Sequence, residues 1–281
     1  MPRTHELSRQ IWHHDGDSVV FGHMADMPQP QSCDACPGAG VYEGCPLIAL
    51  QDSPADMAWF LEATYQLHCC AAAPSLPVTF ARASALLRLG TKYGADAVRR
   101  RAIDILASVY PCTNDAWLRR DAIRQFPPFV GELGATLTLA IEHDVHSLLP
   151  SILYTAAKLP PPDVISEIQG LALHPEEVRG LITRYLAGRT ALCRAEANSV
   201  MGFLTPYFTN PKCKNPNPHT SHCAANPFKI ARSTALCAAC CQLIEKSIRD
   251  EAEDLWRRVP GMFGFADWET LKAADDLREC H

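Results

Sequence analysis

Over most of this chain apolar residues recur at helical spacing, and prolines and glycines break the recurrence at short intervals. Such a sequence can build many helices of short to medium length, but no large continuous sheet. Ser53 and Pro54 give an N-cap followed by proline at the first helical position, and Met57, Phe60, Leu61 and Tyr65 then share one face. A helix from Pro54 to about Gln66 is predicted. The pattern resumes in Phe80, Ala83, Leu86, Leu87 and Tyr93 beyond a proline-bounded loop at 74–77. A third helix is expected from Ala97 to Tyr110, with Val98, Ala102, Ile105, Leu106 and Val109 on one face and Pro111 closing it. Further amphipathic segments lie near 132–142, 146–158, 163–171 and 175–193, which suggests stacked helical hairpins. A last helix is expected from about Ser233 to Arg258, followed by an aromatic tail, and no repeat of fixed period is visible.

Two stretches cannot be helical. Residues 28–44 crowd Pro, Gly and Ser without periodicity, and residues 205–229 combine five prolines, four asparagines and two cysteines with few apolar side chains. Short strands are expected at Val19–Val20, behind the turn-forming Asp15-Gly16, and over the apolar run 45–50.

Composition narrows the function. With 26 Lys and Arg against 31 Asp and Glu, the formal charge of −5 offers no general attraction for nucleic acid or anionic lipid. The first 17 residues lack the apolar core of a signal peptide, and no run approaches a spanning helix, so a cytoplasmic or nuclear location is expected, with no membrane partner. Thirteen cysteines, an odd number, without an export signal, point to reduced thiols with one metal site and not to a disulfide scaffold.

Catalytic signatures are missing: there is no G-x-S-x-G elbow, no phosphate loop and no H-E-x-x-H. Gly38, Gly40 and Gly44 are misspaced for a dinucleotide fingerprint. His143 and His146, near Glu142 and Asp144, lack a third defined ligand and read as a solvated or capping pair. Cys33 and Cys36 lie in an acidic, proline-rich loop that would not activate a thiol. No enzyme is expected.

The late cysteines are different. Cys213, Cys223, Cys237 and Cys240 follow C-x9-C-x13-C-x2-C, in which a C-x-x-C pair at a helix start and two loop cysteines can complete a tetrahedral zinc shell. A metal would also order a segment that has almost no apolar residues. His219, His222 and Cys241 are substitute ligands, and small core cysteines in a helix are the plainer alternative.

The order of elements is then specific. Asp15-Gly16 before a short strand, the segment MPQP, then EGCPLIALQDSPADMAWFLEATY and ASALLRLGTKYGADAVRRRAIDILASVYP, resemble the BTB/POZ domain of a group of fungal, particularly basidiomycete, proteins. The similarity is strongest over 43–111 and extends more loosely through the late cysteines to W-x-x-V-P-x-x-F-G-x-x-x-W. It implies an α+β fold: an incomplete BTB/POZ domain with a small sheet and helices over 9–111, a mainly helical region over 112–204, and a cysteine-bearing C-terminal module over 205–281. It also implies a docking or adaptor protein that recruits cullin-type ubiquitin ligase scaffolds or transcriptional regulators through the helices at 54–66, 80–93 and 96–110. Between Val20 and Phe21 the second strand and following helix of the family are missing, which argues against the usual strand-exchanged homodimer. The rival reading is a zinc-dependent nucleic-acid-binding module, for which Lys212, Lys214, Lys229 and Arg232 offer little positive charge.

Overall fold

The computed structural model describes residues 41–42, 45–46, 51–68, 78–202 and 238–277. These fall in two compact units, Met1–Asp104 and Ile105–His281.

The expected α+β fold is corrected. The described residues are mostly helical, and the strand pairing among them is a single antiparallel ladder, β1 (Val41–Tyr42) with β2 (Cys45–Pro46), in register Val41↔Pro46 and Tyr42↔Cys45. Two residues a side do not make a sheet, and Pro46 has no N–H with which to extend the ladder. The strand expected at Val19–Val20 and residues 47–50 of the apolar run lie outside the described residues.

In the first unit, α1 (Pro54–His68) packs against α2 (Phe80–Lys92), which is followed by the start of α3 (Asp96–Ala107). The periodicity is realised in part, since Met57, Leu61, Tyr65, Phe80 and Tyr93 stay half-buried. Phe60, Ala83, Leu86 and Leu87 are buried, and the face Val98, Ala102, Ile105, Leu106 and Val109 is buried throughout. Thr79 caps α2 by accepting from the Arg82 amide at 3.2 Å. The helix closes on Gly94, whose φ of +61° lets the Ala95 amide reach back to the Gly90 carbonyl at 2.9 Å. Outside the core the helices carry ion pairs, Arg88–Asp56 at 2.7 Å and Lys92–Asp52 at 2.7 Å. The hydrogen bond from Lys92, with a second from the Tyr93 hydroxyl, holds the Asp52 carboxyl below the usual carboxylate range.

The second unit contains α4 (Asn114–Ile123), α5 (Glu132–Glu142), a 3-10 turn (His146–Leu148), α6 (Leu149–Ala157), α7 (Pro161–Gln169), α8 (Pro175–Gly202), α9 (Ala238–Met262) and α10 (Trp268–Leu277). Helix α6 is the hub, packed on α5, α8 and α9, and all but one of its residues are buried. The Ser151 hydroxyl, completely buried on α6, donates to the Pro111 carbonyl. Helix α8 packs on α9, and just beyond the end of α9 the ring of Phe263 faces Gly188, where a β-carbon would come within 2.0 Å of the Phe263 Cδ1 atom.

The sequence W-x-x-V-P-x-x-F-G-x-x-x-W acquires a physical account. Pro260 lies inside the last turn of α9 and lacks the amide that would bond the Trp256 carbonyl. The indole Nε1–H of Trp268 donates to that carbonyl instead, at 2.9 Å. Gly264 at φ +73° ends the helix, with the Phe265 amide donating to the Pro260 carbonyl at 3.0 Å, and the two tryptophan rings stack at 5.7 Å. Trp268→Phe should therefore cost about 1–2 kcal/mol by leaving the carbonyl unpaired. In a Pro260→Ala background the backbone amide returns and the same substitution should cost less. A double-mutant cycle of urea melts reads the coupling directly, and equal costs in both backgrounds would refute the link.

Candidate docking surface

The zinc ligands expected from spacing are not brought together on the described part of the chain. Cys213, Cys223 and Cys237 lie outside it, and Cys240 falls in the first turn of α9, where its side chain is not described. Among the described residues no group of three or more His, Cys, Asp or Glu could hold a metal ion. Cys33, Cys36 and the glycines 38, 40 and 44 also lie outside the described residues.

The histidine pair has a local role. His143 closes α5, and Asp144 adopts the left-handed conformation, φ +53°, so that the Val145 amide donates to the Ala140 carbonyl at 2.8 Å. His146 lies 3.9 Å from the Asp144 carboxylate and opens the 3-10 turn. Among the described residues Cys112 is a half-buried free thiol, and burial pushes its pKa up to about 11, which makes it a poor nucleophile.

The helices expected to supply a contact surface, 54–66, 80–93 and 96–110, bury Phe60, Leu86, Leu87 and Leu106 and leave Met57, Trp59, Leu61 and Tyr65 half-buried. Among the described residues the large exposed ones lie elsewhere: Leu118 (72% exposed) and Ile123 on α4, Phe129 and Val130 (102% exposed) in the loop after it, Leu159, and Leu186 on α8. Four of the six are therefore within thirteen residues of sequence.

That stretch is held by a rigid base. Thr113 caps α4 through its hydroxyl oxygen, which accepts from the Ala116 amide at 3.4 Å. On the inner side, Trp117 meets Tyr154 edge-on at 5.0 Å and Trp256 at 5.1 Å, while the Arg120 guanidinium lies 3.8 Å over the Trp117 ring. Trp256 donates its indole N–H to the Cys112 carbonyl at 3.0 Å, fixing the entry to α4. Beyond the helix, Arg124 bridges to Glu132 at 2.6 Å and donates from Nε to the Phe126 carbonyl at 2.9 Å, so both ends of loop 125–131 are tied together. The buried Phe126 ring anchors the loop, and the Gln125 amide donates to the Ser108 hydroxyl at 3.0 Å. Glu132 also accepts from the Tyr110 hydroxyl at 3.4 Å, a phenol that burial moves above its ordinary pKa.

Elsewhere the molecule offers less. An open groove of about 570 Å³ runs along α8, lined by Thr183, Leu186, Ala187, Thr190, Ala191 and Arg194, all from one helix and without converging polar groups. No helix among the described residues is long and apolar enough to cross a membrane.

The arrangement defines a helical framework that presents apolar side chains on a fixed, charge-paired base. No protein-family model, curated protein or solved structure matches the chain. Sequence reading missed the surface because it assigned no helix to 114–123. Adjacent Trp117 and Leu118 are about 100° apart around α4, the first against Tyr154 and Trp256 and the second exposed, which blurs the apolar periodicity. The N-cap signal of Thr113 with Asn114 and Asp115 behind it was there to be read.

Proposed function

We propose that the chain acts by docking other proteins, as an adaptor without catalytic turnover, through the exposed side chains of α4 and the loop that follows. The observation that carries this reading is the exposure of Leu118 and Val130 on a segment that hydrogen bonds and an ion pair tie to its surroundings. Exposed apolar groups normally scatter singly, and their grouping on a rigid support is the mark of an interaction surface. The partner classes suggested by the BTB/POZ resemblance, cullin-type scaffolds and transcriptional regulators, are the first candidates.

A photo-crosslinking residue at position 118 should yield a discrete protein adduct in cells, whereas one at position 88 on α2 should not. Val130→Asp should abolish the adduct while leaving the melting temperature unchanged. Equal labelling from both positions would defeat the reading.

Structural zinc at Cys213, Cys223, Cys237 and Cys240 is proposed on their spacing. Metal analysis of protein purified without chelator should find about one equivalent, as a closed four-ligand shell requires. Cys237→Ser should remove it and Cys33→Ser should not. A metal-free wild type would end the proposal.

A further inference from the structure

We infer that loop 125–131 is a ligand presented to a partner domain whose aromatic-lined groove takes polyproline II segments; this rests on the docking reading and names its partner class. The sequence Phe126-Pro127-Pro128-Phe129-Val130 fixes much of its own backbone. Each proline ring sets φ near −65°, and each residue before a proline is driven to extended ψ, so 126–128 is biased to the polyproline II region without help from hydrogen bonds. Residues 124–129 contain no helix, and Arg124, at φ −58° and ψ 134°, already has this geometry.

Presentation is equally specific. Residues 127–131 are all exposed in succession, while Phe126 is buried beneath them. The Arg124–Glu132 bridge closes the base, and Gly131, at φ +80°, turns the chain into α5. Among the described residues nothing donates to the Pro127 or Pro128 carbonyls, whereas the Phe126 carbonyl is taken by Arg124 and the Phe129 carbonyl by the Glu132 amide. Two acceptors on adjacent prolines, without a donor among the described residues, are what a groove with a tryptophan or tyrosine donor engages. The loop from 125 to 131 carries no charge, and its flanking charges neutralise each other, so recognition would rest on ring packing and these carbonyls. Because two proline rings restrict the segment and the Arg124–Glu132 bridge ties its ends, less ordering accompanies binding.

The test is binding of the full chain to a panel of purified SH3, WW and EVH1 domains immobilised for interferometry. At least one domain should bind in the micromolar range, and Pro127→Ala with Pro128→Ala should weaken it about tenfold or more. Val130→Asp, at a fully exposed position, is a second variant that should also weaken binding, and unchanged melting curves establish that both variants fold. No binding by any domain, or binding that neither variant changes, overturns the inference. If the adduct at position 118 persists while the panel fails, only the partner class is lost, and the docking surface stands. A concentration-dependent dimer in light scattering that Val130→Asp abolishes, with no domain bound, would assign the loop to a second copy of the chain and also overturn the inference.

Discussion

Trp256→Ala is expected to destabilise the second unit by about 5 kcal/mol, enough to unfold a domain of ordinary stability. The estimate follows from what the ring does. It packs against Trp117, Tyr154 and Trp268 at centroid distances of 5.1, 5.2 and 5.7 Å, so its removal leaves a cavity walled by three aromatic rings from α4, α6 and α10. Its N–H also satisfies the Cys112 carbonyl, which would be left short of a donor. Trp256→Phe keeps part of the ring area and loses the hydrogen bond, so a cost of about 2 kcal/mol is expected. The order wild type, Phe, Ala should appear in chemical melts followed by circular dichroism. An alanine variant within about 1 kcal/mol of wild type would show that the aromatic block does not hold α4 to its neighbours.

The same block marks the boundary of what the sequence could tell. Helices with an apolar face at helical spacing were legible: α1 behind Ser53-Pro54, α2 over the expected Phe80 to Tyr93, and α5 at the expected 132–142. Helix α9 is expected to end near Arg258, before the aromatic tail, yet it continues through Pro260 to Met262. The continuation depends on Trp268 supplying the hydrogen bond that the proline cannot, a contact across twelve residues that local pattern does not reveal. Helix α10 was read as part of an aromatic tail, although Asp267 accepts from the Thr270 amide at 2.9 Å and is a readable N-cap.

The small sheet was misplaced for a different reason. The run from Cys45 has strand-like composition, but strand formation depends on a partner edge, and among the described residues the partner is a two-residue stretch. For the docking surface, no sequence rule separates an apolar side chain that goes inward, such as Phe126, from one that stays out, such as Val130. That assignment depends on the Arg124–Glu132 bridge and on the aromatic base beneath α4.

Among the helix starts of the second unit that lack a residue able to cap them, two are capped from far along the chain. Gly131 has no side chain, and the Gly134 amide instead donates to Glu167 of α7 at 2.8 Å. Val145 is equally unable to cap the 3-10 turn, and there the Asp275 carboxylate, on α10 and only 4% exposed, accepts from the His146 amide at 2.8 Å and the Ser147 amide at 3.1 Å. Asp275 thus ties the last described helix to the start of the α6 hub. Asp275→Ala should cost about 3–4 kcal/mol, because two charge-assisted hydrogen bonds disappear and the amides they served are left without acceptors in a buried place. Asp275→Asn keeps one oxygen acceptor and should lose about half as much. The neighbouring Asp276 is exposed, and its replacement by alanine should stay within about 0.5 kcal/mol of wild type. Hydrogen exchange gives an independent reading: in the Asp275→Ala chain the amides of His146 and Ser147 should lose protection before those of α8 do. If Asp275→Ala and Asp276→Ala melt alike, the distant carboxylate is not what holds the turn, and α10 is retained instead by Trp268, through its stacking on Trp256 and its hydrogen bond to the Trp256 carbonyl.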